Sequence, residues 1–235
     1  ERLTSGDLCD KAKEFSEALP YRTLIFILAE NCNGALLGYI SALSNGVVPL
    51  IISNNTEQSL FDTLYGKYQP EFLWLPTNKI AGFNLKDTLY STNGYSLVRT
   101  GFDTPNLYED LSLLLPTSGS TGSPKLVRHS YRNIEANAEN VMNLFGLTSS
   151  ERAMAALPMH YTMGLSVIAS HLYAGATLLL CGKSLLDPVF WNMLRDGATS
   201  FTGVPYSFEL LAKLRFFRMN LPELKIITQG GGKLT

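Results

Sequence analysis

Short, unbroken apolar runs set between stretches of helical period constrain this chain more than any other feature. Residues 23–28, 47–52 and 72–75 are almost wholly apolar, too short for helices, and lack the polar alternation of a strand with one wet face. Between them, Leu36, Leu37, Ile40 and Leu43 recur at helical spacing and are closed by Asn45-Gly46, and Leu60, Phe61, Leu64, Tyr65 and Tyr68 form another helical stripe. Leu8, Ala12, Phe15 and Leu19 make an earlier one, behind a Thr4-x-x-Asp7 capping box. Strands that are apolar on both sides must be covered on both sides. The predicted class is therefore α/β, with wound, mainly parallel sheets covered by helices on both faces.

The alternation continues downstream. Ile134, Ala138, Val141, Met142 and Phe145 line one helix face, and strands at 153–157, 177–181, 200–204 and 224–229 alternate with helices at 163–173, 188–195 and 206–216. Residues 76–105 are less regular: Asn84, Asn93-Gly94 and Gly101 break them into pieces around 95–99, which reads as a junction. The expected division is a first α/β unit at 1–110 and a second, phosphate-loop unit at 111–235. Residues 163–182 approach membrane length, but Ser166, Ser170, His171 and Thr177 interrupt them and Gly175 splits helix from strand, so no transmembrane segment is expected.

The segment with the most chemistry is Leu113-Leu114-Leu115-Pro116-Thr117-Ser118-Gly119-Ser120-Thr121-Gly122-Ser123-Pro124-Lys125. Gly119 and Gly122 let backbone bend close to an anion, Thr117, Ser118, Ser120 and Thr121 offer hydroxyl donors, and Lys125 adds positive charge. It is not a Walker loop, since Pro124 precedes the lysine and Leu126 follows it. By composition alone such a loop is ordinarily a solvated linker. Its place between the apolar run 111–115 and the Leu126-Val127 step favours a phosphate-holding role.

Charge and sulfur narrow the class. A net charge of −1 and the lack of any Lys/Arg run argue against nucleic-acid binding. Cys9, Cys32 and Cys181 are far apart and without Cys-x-x-Cys spacing, so each is expected to be a small buried residue in a reducing, cytoplasmic setting. His129, His160 and His171 lack a metal-binding spacing, and no metal ligand is assigned.

The nine residues from Thr117 to Lys125 resemble the signature of the adenylate-forming superfamily, which includes acyl-CoA synthetases, aryl-acid ligases, luciferases and peptide-synthetase adenylation domains. Three later segments resemble that family in the expected order: Leu157-Pro158-Met159-His160, Gly203-Val204-Pro205-Tyr206, and Ile226-Ile227-Thr228-Gln229-Gly230-Gly231-Gly232. Leu126 departs from the family's glycine after Pro-Lys. The resemblance covers essentially the whole chain as part of a large N-terminal domain, and implies that the chain is the N-terminal part of a longer protein, inactive and weak in nucleotide binding alone.

What the resemblance implies is a ligase that attacks Mg-ATP with a carboxylate, giving an acyl-adenylate and pyrophosphate, and then transfers the acyl group to coenzyme A or the pantetheine of an acyl carrier protein. Thr117, Ser118, Gly119, Ser120, Thr121, Gly122 and Lys125 would hold ATP phosphates, with Mg2+ ligands mostly beyond Thr235. His160 would gate the carboxylic-acid substrate, and Gly230, Gly231 and Gly232 would lie against nucleotide and acyl group. Their alternative is a flexible end. Amino-acid adenylation domains usually place an aspartate soon after the position of His160, whereas Tyr161 and Thr162 follow here and the next aspartate is Asp187, which favours a fatty, aryl or other non-amino acid. A non-catalytic nucleotide-binding or scaffold module and a peptide-synthetase adenylation domain stand as alternatives; a different phosphate enzyme such as a kinase would need a metal-binding acid near the loop, and the nearest acids, Asp110 and Glu135, read more simply as a strand-entry charge and a solvated helix residue.

Overall fold

The computed structural model describes residues 2–83, 87–103, 106–117 and 125–233. The chain divides into two compact units, Glu1–Tyr131 and Arg132–Thr235.

In the first unit, helix α1 (Ser5–Glu17) begins with the expected capping box: Asp7 N donates to Thr4 Oγ1 at 3.2 Å, and Thr4 N donates to Asp7 Oδ2 at 2.7 Å. The apolar runs become β1 (Leu24–Ala29), β2 (Val48–Ser53) and β3 (Phe72–Pro76), separated by α2 (Asn33–Ser44) and α3 (Gln58–Tyr68). A 3-10 segment, Thr77–Phe83, leads to β4 (Thr88–Thr92) and β5 (Tyr95–Arg99), and β6 (Leu113–Pro116) and β7 (Leu126–His129) follow.

These strands form a seven-stranded sheet in the order β4-β5-β3-β1-β2-β6-β7. Its centre, β3-β1-β2-β6, is parallel, while β4, β5 and β7 join antiparallel. Side chains alternate across the sheet, so each face has its own cover. Leu24, Phe26, Leu28, Leu50 and Leu73 pack on Phe61 and Leu64 of α3. The opposite face carries Ile25, Ile27 and Trp74, where α2 approaches so closely that a Cβ on Gly38 would lie 2.2 Å from Trp74 Cδ1.

Two expectations need correction. Residues 76–105 are not a junction: β4 and β5 form a hairpin whose turn residues, Asn93 and Gly94, have φ of 50° and 75°, the left-handed pair that suits a two-residue hairpin. Nor does the first unit end near 110. β6 pairs with β2 at Leu50 and Leu114, and β7 pairs with β6 from Leu113 opposite His129 to Pro116 opposite Leu126, so the strands flanking the loop complete the first sheet.

The second unit contains α4 (Tyr131–Phe145), β8 (Arg152–Ala155), α5 (Thr162–Tyr173), β9 (Thr177–Leu180), α6 (Pro188–Arg195), β10 (Ser200–Gly203), α7 (Pro205–Lys213) and β11 (Ile226–Gln229). Its sheet, β11-β10-β8-β9, is parallel throughout. Met154, Phe190, Leu194, Phe201, Phe208 and Leu211 form a core on one side. The apolar stretch 163–182 resolves into α5 and β9, parted at Gly175 with φ of 69°, and among the described residues no helix is long and apolar enough to cross a membrane. Cys181 is buried as expected, whereas Cys9 is exposed because it lies on the solvent side of α1.

Buried histidine gives this unit a pH dependence. His171 Nδ1 lies 2.8 Å from Val167 O, which can only accept, so Nδ1 carries the proton and Nε2 is left to accept from Ser200 Oγ at 3.3 Å. Burial holds the imidazole below its ordinary range. The unfolded chain therefore binds the proton more readily, and stability is lost as pH falls from about 6.5 toward the depressed folded value. A urea midpoint lower at pH 5.5 than at pH 7.5, with a smaller difference in His171→Asn, is the expected result.

Candidate active site

In open sheets with parallel strands, ligands bind beyond the carboxyl ends of the strands, and both units place their candidate residues there. In the first unit, β6 runs parallel to β2 and delivers Thr117 to that edge. Thr117 N donates to Lys125 O at 2.8 Å, continuing the β6–β7 ladder by one rung and pinching the two ends of the loop together. Thr117 and Lys125 are both exposed at this rung. Ser118, Gly119, Ser120, Thr121 and Gly122 lie outside the described residues.

In the second unit, three strand ends contribute. Beyond β8, residues 157–161 form a tight turn in which Tyr161 N donates to Pro158 O at 3.1 Å, with Met159 wholly buried as its anchor. His160 is half-buried, its ring 4.3 Å from that of Tyr161, and burial pushes its pKa below the usual histidine range. At neutral pH it is an uncharged imidazole, able to accept or donate one hydrogen bond without adding charge. Tyr161 then opens α5, its carbonyl accepting from Leu165 N at 3.0 Å.

Beyond β10, Gly203 leads through Val204 to Pro205, which takes the first turn of α7, where its missing N–H costs nothing. Beyond β11, Gly230 N donates to Gly203 O at 3.1 Å, so these two strand ends are tied together. Gln229 Nε2 donates to Gly230 O at 2.9 Å and Gly232 O at 2.8 Å. Gly231, at φ of 84°, turns the chain in a way that few side chains tolerate. The triple glycine is thus a stapled turn.

Two residues packed against the candidate site residues were not singled out from the sequence. Gln229 staples the glycines, although its place just before them could have marked it. Met163 reads as an ordinary helix residue, yet its methyl group lies where a Cβ on Gly230 would stand, at 2.0 Å. Among the described residues no group of three or more His, Cys, Asp or Glu is placed to hold a metal ion.

Residues 23–235 match the family model described as AMP-binding enzyme. The chain belongs to the AMP-binding enzyme family. A feruloyl-CoA synthase of an Amycolatopsis species is 32% identical over 133 residues, covering 55% of this chain and 27% of the relative. ATP-bound MatB from Rhodopseudomonas palustris is similar with a TM-score of 0.80 at 20% identity, over 100% of this chain and 50% of that one. The o-succinylbenzoate CoA synthetase (MenE) of Bacillus subtilis, in complex with the acyl-adenylate intermediate OSB-AMP, is similar with a TM-score of 0.79 at 18% identity, over 99% of this chain and 63% of that one. At such identities the structural likeness establishes the fold. The chain spans 27% of the synthase and 50% to 63% of the two solved structures.

Proposed function

We propose that this chain supplies the phosphate-holding and acyl-holding part of an AMP-forming acid–CoA ligase, which activates a carboxylic acid as its adenylate and passes the acyl group to a thiol. The observation that carries the proposal is the rung from Thr117 N to Lys125 O at the carboxyl end of a parallel strand, which brings the two ends of the segment together, in a chain of the AMP-binding enzyme family. Thr117, Ser118, Gly119, Ser120, Thr121, Gly122 and Lys125 would hold the ATP phosphates. Lys125 would offset the charge that gathers on departing pyrophosphate, an electrostatic role that needs a fixed donor more than a reactive one.

His160, neutral and held on a rigid turn, would orient the attacking carboxylate without forming a competing ion pair. Gly230, Gly231 and Gly232 would present bare backbone to nucleotide and acyl group. The ATP would bring Mg2+, which neutralises phosphate charge, and coenzyme A or a carrier pantetheine would be the acceptor. Relatives named for feruloyl and o-succinylbenzoate act on non-amino acids, in line with the lack of an aspartate just after His160.

Acid-dependent exchange of labelled pyrophosphate into ATP by the complete gene product tests this reading. Lys125→Ala is expected to lower the exchange rate by about 100-fold, the scale of losing one charge-stabilising donor. No exchange with any fatty, aryl or amino acid would favour a nucleotide-binding scaffold instead.

A further inference from the structure

Asn-Gly occurs three times in the sequence, at Asn33-Gly34, Asn45-Gly46 and Asn93-Gly94. In this pair a backbone nitrogen reaches the preceding side-chain amide most easily, because glycine has no Cβ in the path of attack. The fold treats the three steps differently. Gly34 is buried in the first turn of α2 with its N–H turned to the Cys32 sulfur, so the helix fixes that nitrogen. Asn45 Nδ2 donates to Ala12 O at 3.2 Å and to Ser41 O at 2.7 Å, Gly46 N donates to Leu43 O at 3.3 Å, and the Tyr21 ring covers Gly46. At both steps the attacking nitrogen is held.

Asn93-Gly94 is arranged for reaction instead. It is the tip of the β4–β5 hairpin at an edge of the sheet, and Gly94 is exposed, with nothing within 4 Å of its Cβ position. The Asn93 main-chain oxygen must swing when the peptide turns toward the side chain, and it lies over Gly34, 2.6 Å from where a Cβ would stand, so that residue has no side chain to block it. The Asn93 amide is also polarised. Its Oδ1 accepts from Thr92 Oγ1 at 3.0 Å, and Thr92 Oγ1 accepts from Lys11 Nζ at 2.9 Å. A hydroxyl backed by an ammonium thus points at the oxygen on which negative charge gathers when a nucleophile adds to Cγ.

We propose that Asn93-Gly94 is a self-modification site, at which the side-chain amide leaves as ammonia and the turn is converted to aspartate or isoaspartate. The Gly94 nitrogen adds to Asn93 Cγ, gives its proton to water, and expels ammonia as the amide C–N bond breaks, closing a cyclic imide. Water then opens the ring, so that the net change consumes water and releases ammonia. Opening at the original main-chain carbonyl leaves Gly94 joined through Cγ, which puts an extra carbon into a two-residue turn. Thr92 can then no longer face Tyr95 while Thr77 N keeps its 2.9 Å bond to Gly94 O. Tyr95 packs against Trp74, so the change reaches the core of the first unit.

The test is peptide mapping of the complete gene product after incubation at neutral pH and body temperature, folded and in urea, with isoaspartate detected by methyl-transfer labelling. In the folded protein Asn93 is expected to convert at least about tenfold faster than Asn33 and Asn45, and in urea the three rates should converge. Thr92→Val should slow conversion of the folded protein about tenfold, the worth of one hydrogen bond to a developing anion, and Thr92→Ser should restore it. Lys11→Ala, 82 positions away in sequence, should slow it about 2- to 5-fold when folded and leave the rate in urea unchanged. Equal conversion at the three steps in the folded protein overturns the proposal. So does a folded rate at Asn93 that neither Thr92→Val nor Lys11→Ala alters.

Discussion

Gly164→Ala is expected to destabilise the protein by about 2 kcal/mol or more and to cut exchange activity about 100-fold, although alanine is the better helix former. In an unobstructed helix the substitution gains about 0.5–1 kcal/mol. Here the added methyl would stand 2.3 Å from Pro158 O, 2.6 Å from Leu157 O and 2.8 Å from Pro158 C. All three are backbone atoms of the turn that carries His160, so no side chain can swing aside. Either the first turn of α5 or the 157–161 turn must shift, and a displacement near 1 Å at a positioned group costs about 100-fold in rate. Gly66→Ala is the control. Gly66 lies within α3 and has nothing within 4 Å of its Cβ position, so the same change there should stabilise by about 0.5–1 kcal/mol. Urea midpoints that move in the same direction for both variants would contradict the close approach at Gly164.

How far these features can be read from sequence depends on the range over which each is encoded. The capping box at Thr4 and Asp7, the apolar runs that became β1, β2 and β3, and the start of α6 at Pro188 are local, and each stands within a residue or two of its expected place. The β4–β5 hairpin was signalled by Asn93-Gly94, but β4 is largely exposed on an edge of the sheet and lacks a strong apolar pattern. The boundary near 110 fails for a different reason. Residues 111–115 look like the opening of a new unit, and only the pairing of Leu114 with Leu50, 64 positions earlier, shows that they close the first sheet. The candidate site divides in the same way. Its turns were legible from prolines and glycines, whereas the fit of Met163 to Gly230 joins residues 67 positions apart and has no local trace.

Trp74→Ala is expected to cost the first unit about 3–5 kcal/mol, the largest loss from any single truncation proposed for this protein. Trp74 is wholly buried in β3, with Phe15 edge-on at 5.0 Å, Tyr95 at 5.8 Å and Tyr90 stacked at 6.2 Å, and its Nε1 donates to Gly34 O at 2.8 Å. The helix opposite has been cut to fit these rings. Gly34 and Gly38 lie one turn apart on α2, and Cβ atoms there would stand 2.4 Å from Tyr95 Cδ2 and 2.2 Å from Trp74 Cδ1. Because the backbone of α2 rests on the indole, truncation leaves a void that side-chain motion alone cannot close. Trp74→Phe separates the contributions: it keeps most of the ring packing, loses the hydrogen bond to Gly34, and should cost about 1–2 kcal/mol. The consequence reaches the loop, since β3, β1, β2 and β6 are consecutive strands of one parallel array and Thr117 is held at the end of the last. Hydrogen exchange at Thr117 N, whose bond to Lys125 O closes the loop, should quicken in Trp74→Ala far more than in Trp74→Phe. Equal rates in the two variants would show that the loop's closure is independent of the core beneath it.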